Sequence, residues 1–277
     1  MPEYAYQHRY KGRLKAAILD WAGTTIDYGC LAPTVVFVEV FRRRDVPISS
    51  EEARIPMGAH KKEHIRQISQ LPAVATRWQE VHKRACTDAD VEAMYQDFIP
   101  RQLDTLAKYA DLIPGTNEAI AAFRKRGMKI GSTTGYTGEM MEIVKAEAKR
   151  RGYEPDSTVS ATDVPAGRPE PWMSLLSAQQ MRIFPMEAIV KIGDTLPDIY
   201  EGLNAGMWTI GLVKTGNEIG LSLADVERLP ANEYSRLSAR AYDRMAQAGA
   251  HYVVDSISDV LPCLDEIEAR LARGERP

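Results

Sequence analysis

Two rhythms of apolar residues alternate along this chain, short unbroken runs and longer stretches at helical spacing. KAAILDW at residues 15–21 reads as a first strand, an apolar run that ends on a carboxylate. The next such run, MKIGSTT, comes only at residues 128–134. After it follow AIVKIGD around Ile189, MWTIGLV around Trp208 and HYVVDS around Val253, each separated from the next by a helical pattern. Strands alternating with helices in this way predict an α/β fold, a parallel sheet covered by helices on its faces.

The helices between those runs carry readable punctuation. One is predicted over residues 116–126, with Thr116 as N-cap and Gly127 just past its end. Another, EMMEIVKAEAKRR, stops at Gly152. The stretch from 29 to 107 differs, because it shows helical periodicity after Ser50, around Trp78 and around Met94 and few β-rich runs. Roughly eighty residues of helix is too long for a simple crossover between parallel strands. The expected organisation is therefore a core built from residues 1–28 and 108–277, with residues 29–107 forming a helical module over the C-terminal end of the first strand.

Composition narrows the classes of function. The chain has 277 residues, 44% hydrophobic and 26% charged, with a formal net charge of -3. That balance allows a sizeable core and offers no basic field for nucleic acid or an anionic membrane. Cys30, Cys86 and Cys263 are far apart and form no CxxC pair, which argues against a disulfide framework or a structural zinc site. The N-terminal MPEYAYQHRYKGRLK lacks the apolar run of a secretory signal, and LAPTVVFVEVF is too short and too interrupted to span a bilayer. A soluble cytoplasmic protein is the expectation, and its balance is compatible with a small-molecule enzyme without pointing to one.

The candidate chemistry lies at the strand ends. Asp20 closes the first strand, where open α/β sheets place their ligands. Trp21-Ala22-Gly23-Thr24-Thr25 after it contains small residues able to turn sharply and present N–H groups to an anion. By itself Asp20 is equally suited to capping that turn. In GDTLPD, Asp194 ends another run and Asp198 follows, with Pro197 suited to the first turn of a helix. Carboxylates converging from two strand ends make an all-oxygen Mg²⁺ site. Thr134 ends its own run, and Arg168 in AGRPEPW offers a cation for the same anion.

The set DWAGTT, the Thr134 strand end, GRP at 167–169 and GDTLPD, in this order, resembles the four motifs of the haloacid-dehalogenase superfamily. That resemblance implies a Rossmann-like core with an inserted α-helical cap. It further implies Asp20 as nucleophile, Thr134 and Arg168 with Gly23 and Thr24 as phosphoryl binders, and Mg²⁺ held by the acids.

One departure narrows the reaction. Phosphatases of that superfamily place a second Asp two residues after the nucleophile, to protonate a departing alcohol, and here the position is Ala22. A departing carbon would not need that acid, but it would need an electron sink such as an imine. Treated as a helix, residues 58–70 place Lys61, His64, Ile65 and Ile68 on one face, with Lys62, Glu63, Arg66 and Gln67 on the other. A lysine sharing a stripe with isoleucines loses basicity on burial and becomes a nucleophilic amine. His64, one turn on, is placed to shuttle protons. The adjacent Lys62 is the competing amine, and helix phase favours Lys61.

These strings, together with PMGAHKKEHIR, resemble the branch of the superfamily that cleaves carbon–phosphorus bonds. The resemblance implies hydrolysis of phosphonoacetaldehyde, a Schiff base on Lys61, and Met57 and His64 as the cap's other catalytic residues. It also implies metal ligation by Asp20, the Ala22 carbonyl and Asp194, with Asp198 orienting them, and a homodimer formed through the cap. A phosphomonoester phosphatase or mutase, and a non-catalytic phosphate-binding protein, are the rival readings.

Overall fold

The computed structural model of the chain describes residues 9–277. The first eight residues of the N-terminal stretch, and so the start of the expected core, lie outside the described residues. Six parallel strands form the central sheet: β1 (Ala16–Leu19), β2 (Lys129–Thr134), β3 (Ser157–Ser160), β4 (Ile189–Gly193), β5 (Trp208–Leu212) and β6 (Tyr252–Val254). Their order across the sheet is β3-β2-β1-β4-β5-β6. β1 and β4 are entirely buried, as expected of parallel strands covered on both faces. The strand order reverses between these two neighbours, and Asp20 and Asp194 follow their C-terminal ends. A crevice at that switch point is where open α/β sheets bind ligands.

The expected strands are present, and β3 is one that the apolar pattern did not reveal. Its sequence STVS has a single large apolar residue. Its serines find partners instead of oil, Ser157 with Ser177 and Gln180 and Ser160 with Thr162 and Asp163.

Helices α1 (Leu31–Arg42), α2 (Ser50–Arg54), α3 (Lys61–Gln70), α4 (Pro72–His82) and α5 (Asp88–Leu106) follow β1 and build the cap. The capping boxes Ser49/Glu52 and Thr87/Asp90 start α2 and α5. Pro72 stands in the first turn of α4, where its missing N–H costs nothing. The remaining helices are α6 (Thr116–Lys125), α7 (Gly138–Arg150), α8 (Trp172–Met181), α9 (Leu196–Asn204), α10 (Leu223–Arg228), α11 (Ala231–Gln247) and α12 (Leu261–Ala272). Thr116 is the first residue of α6 rather than its cap. Gly115, at φ 87°, takes that place, and the Thr116 hydroxyl donates to the Thr25 carbonyl.

A single apolar cluster joins cap and sheet, running from Phe37, Trp78 and Phe98 through Met57 and Tyr136 to Trp21 and Leu19. Among the described residues no helix is long and apolar enough to cross a membrane.

Candidate active site

The site begins where β1 ends. Asp20 is buried, and its Oδ1 accepts from Nη2 of Arg168 at 2.7 Å. Asp194 comes from the neighbouring strand end and accepts from the Thr24 hydroxyl at 3.0 Å and from the Asn217 N–H at 2.8 Å. Asp198 stands in the first turn of α9, where the Thr195 hydroxyl donates to its Oδ2 at 2.6 Å. Ligand oxygens of all three acids lie within 4.8 Å of one another.

Three carboxylates packed this closely repel one another. Burial raises the Asp20 carboxyl above its ordinary range despite the Arg168 charge. Burial, reinforced by the charges of Asp20 and Asp198, pushes Asp194 far up. Asp198 goes the other way, because Arg168 and Lys191 overcome its burial and hold it ionised. The all-oxygen donor set and the unrelieved repulsion of Asp20 and Asp194 fit a hard divalent cation such as Mg²⁺. Lys191 and Arg168 with Asp20, Asp194, Asp198 and Glu201 carry two more negative charges than positive, which a divalent ion would balance.

Gly23 and Thr24 stand behind the acids instead of facing the cavity. Gly23 has φ 83°, a Cβ there would lie 2.1 Å from Asp194 Oδ2, and its N–H donates to the Ile26 and Asp27 carbonyls. Both residues seat Asp194. Thr134 faces the cavity, and its Oγ1 accepts from the Tyr136 N–H.

Sequence reasoning missed a buried polar layer beneath these groups. Arg168 donates to Thr133 and, through Nε, to Glu201 at 2.8 Å. Lys191, in β4, donates to the Thr133 hydroxyl at 2.7 Å and pairs with Asp198 and Glu201. A signal was available for Lys191, since a lysine inside the run AIVKIG of a buried parallel strand must find a buried anion.

The cap closes the site from above. Lys61 opens α3 with only 3% of its surface exposed, and its face carries His64, Ile65 and Ile68 inward as the helix phase predicts. Lys62 points away and pairs with Glu92. The helix starts at Lys61 and not at Gly58, whose φ of 93° belongs to the turn before it. Lys61 Nζ lies 4.8 Å from the Tyr136 ring centroid and 5.8 Å from that of Phe37. Burial pulls its amine down to about 8, against the opposing pull of Cys30, Asp20 and Asp27.

His64 is fully buried, stacks on Phe37 at 3.9 Å, and has Nε2 2.8 Å from the Ala53 carbonyl. A carbonyl only accepts, so Nε2 carries the hydrogen and Nδ1 keeps a free lone pair. Burial and the Lys61 charge hold this ring well below the ordinary histidine range, hence neutral.

Asp20, Ala22, Cys30, Met57, Gly58, Lys61, Thr134, Tyr136 and Arg168 all line one small cavity between cap and sheet. Its 20 Å³ is room for about one water molecule. Tyr136, whose buried hydroxyl has no hydrogen-bond partner among the described residues, is a lining residue that the sequence did not mark. A wider cleft of 620 Å³ on the cap, between Arg66, Gln79, Cys86 and Asp88, includes none of these groups.

A buried carboxylate just past β1, a cation set behind it and acids following β4, all under a helical lid, define a class. The chain belongs to the haloacid dehalogenase-like hydrolases, whose family model matches residues 14–206. Within that class it is similar to proteins named phosphonoacetaldehyde hydrolase. The one from Nitratidesulfovibrio vulgaris is 50% identical over 268 residues, covering 97% of this chain and 96% of that one. The one from Bacillus cereus is 44% identical over 256 residues, covering 92% and 97%. The crystal structure of a phosphonoacetaldehyde hydrolase-like protein from Oleispira antarctica superposes with a TM-score of 0.96 at 41% identity, over 99% of this chain and 100% of that one.

Proposed function

We propose that this chain hydrolyses the carbon–phosphorus bond of phosphonoacetaldehyde to acetaldehyde and phosphate, with Lys61 as imine-forming amine and Asp20 as nucleophile. The observation that carries this reading is a desolvated lysine amine, set over the Tyr136 ring, in the same cavity as the Asp20 carboxylate. Phosphoester hydrolysis needs no such amine, and an alcohol leaving group would want an acid where Ala22 stands.

The closed cavity is too small for the substrate, so cap and core must part to admit it. The phosphonate then lies against Arg168 and Thr134. Lys61 condenses with the aldehyde, releasing water, and the imine gains a proton. Asp20 attacks phosphorus, the carbon–phosphorus bond breaks, and its electron pair enters the iminium to leave an enamine and an aspartyl phosphate. Protonation at carbon and addition of water free acetaldehyde and restore the Lys61 amine. Water cleaves the aspartyl phosphate to phosphate and the Asp20 carboxylate. The flexible thioether of Met57 borders this chemistry from the cap, and neutral His64, stacked on Phe37 outside the lining, serves as proton carrier through its free Nδ1.

Asp20, Asp194 and the Ala22 carbonyl would hold Mg²⁺, with Asp198 orienting the set and Gly23 and Thr24 seating Asp194. When bound, the ion offsets the charge on the phosphonate oxygens. The reading extends to a cytoplasmic homodimer joined through the cap, where Val36 and Phe37 of α1 are buried and Val35 remains 43% exposed. The test is borohydride treatment with phosphonoacetaldehyde followed by peptide mass mapping. A substrate-dependent two-carbon adduct on Lys61 is expected. An adduct on Lys62 would move the amine, and phosphate release from esters without any adduct would overturn the reading.

A further inference from the structure

Lys191 is fully buried in β4, below the catalytic cavity and outside its lining. Its stem leaves the strand under α9 and passes Gly202, where a Cβ would stand 2.8 Å from Lys191 Cβ. The helix thus keeps room for a long side chain at that point. The ammonium ends 2.7 Å from Thr133 Oγ1, 3.0 Å from Asp198 Oδ1 and 3.2 Å from Glu201 Oε2. Arg168 engages the same three residues, and its Nη2 also reaches Asp20.

Burying an ammonium costs several kcal/mol unless it is paired, and an apolar side chain would fill the strand position without that cost. The partners decide what the charge does. Asp198 and Glu201 both stand on α9 and both face the Arg168 guanidinium. With one cation between them, the two acids would draw Arg168 toward α9 and off the nucleophile. A second cation on the same two oxygens, Asp198 Oδ1 and Glu201 Oε2, weakens that pull.

We propose that Lys191 is a positioning residue for phosphoryl transfer: by sharing Asp198, Glu201 and Thr133 with Arg168, it leaves the guanidinium laid on Asp20 and keeps Asp198 turned toward the acid cluster. The inference rests on the carbon–phosphorus hydrolysis proposed above, and it separates the two halves of that reaction. Imine formation on Lys61 takes place on the cap side and does not involve this layer. Transfer to Asp20 does.

The test compares Glu201→Gln with the double variant Lys191→Met/Glu201→Gln, which removes one charge of each sign while keeping side-chain size. Both are assayed for folding by circular dichroism, for kcat and KM with phosphonoacetaldehyde, and for borohydride labelling of Lys61. Relative to Glu201→Gln, in which Lys191 still shares Asp198 and Thr133 with Arg168, the double variant is expected to lose about 10- to 100-fold in kcat, the range typical for groups that orient metal-site ligands. KM should stay within about threefold and Lys61 labelling within about twofold, because substrate binding and imine formation are untouched. Equal kcat in the two variants, a parallel loss of labelling, or failure of the charge-balanced double variant to fold would each overturn the proposal. Wild-type protein that neither labels nor releases phosphate would instead remove the reading of the reaction, and this inference with it.

Discussion

A Cβ on Gly58 of the cap would stand 2.5 Å from the Thr195 hydroxyl of the core and 3.2 Å from Pro197. Gly58 also lines the cavity, and its φ of 93° lies in the left-handed region. Cap and core therefore meet at a point where any side chain is both strained and in collision. The Thr195 hydroxyl cannot swing away freely, since it donates to Asp198. Closure of the lid and seating of an acid are joined at one hydroxyl.

Gly58→Ala is accordingly expected to hold the cap partly open. Backbone strain of about 1–3 kcal/mol adds to the clash. Steady-state assays should show kcat/KM down by at least about tenfold, with water now admitted to the imine step. The Mg²⁺-induced rise in Tm should persist, because the acids stay in place. Normal kcat/KM would mean that the closed contact is not needed in turnover.

The Lys61 amine, brought down to about 8 by burial, gives the reaction a pH dependence with a definite sign. Below about 8 the amine is protonated and has no lone pair to attack the aldehyde. The initial rate of borohydride labelling should rise with pH toward about 8 and level off above it. A flat profile from pH 6 to 9, or a midpoint near the ordinary lysine value of about 10.4, would contradict a desolvated amine.

Much of this was legible from residue order because it obeys local rules. Apolar runs ending in Asp20, Thr134 and Asp194 gave the strands, and a helical wheel placed Lys61 and His64 inward. What stayed hidden depends on distant partners. Strand β3 has one valine among hydroxyl residues, and its serines find their partners on α8 and the following loop. Glu201 carries no local mark on α9, and Arg168, from a loop 33 residues away, makes it half of a buried ion pair. Gly23 and Thr24 read as anion binders because their type fits such a turn, and the fold uses them to seat Asp194. Residue type announces which chemistry is available; the fold decides which atom faces the cavity.

His251 should make stability fall on acidification. Burial, with a smaller contribution from Arg270, lowers its imidazole to about 4, and its Nδ1 accepts from the Thr209 N–H. The ring is neutral when folded and titrates near 6.5 when unfolded. Its contribution is fully present above about pH 6.5 and is lost as pH falls toward 4. Thermal melts should show Tm declining over that window, and His251→Gln should flatten part of the slope. An unchanged slope in the variant would assign the acid sensitivity to other groups.

Asp194→Asn separates stability from function at the acid cluster. In the metal-free protein burial, reinforced by the charges of Asp20 and Asp198, pushes the Asp194 carboxyl far up. An amide removes that repulsion. Turned so that its oxygen meets the Asn217 N–H, it donates to the Thr24 hydroxyl and loses no partner. The variant in chelator should melt higher than wild type, each 1 kcal/mol of relief appearing as about 2–4 °C in a chain of this size. Added Mg²⁺ should raise Tm of the wild type, by mass action on the folded state, and leave the variant nearly unmoved. Phosphate release should fall with it, since function here holds like charges together at a cost in stability. A variant that melts lower in chelator would show that the Asp194 contacts outweigh its repulsion, and one that still responds to Mg²⁺ would place the ion on other oxygens.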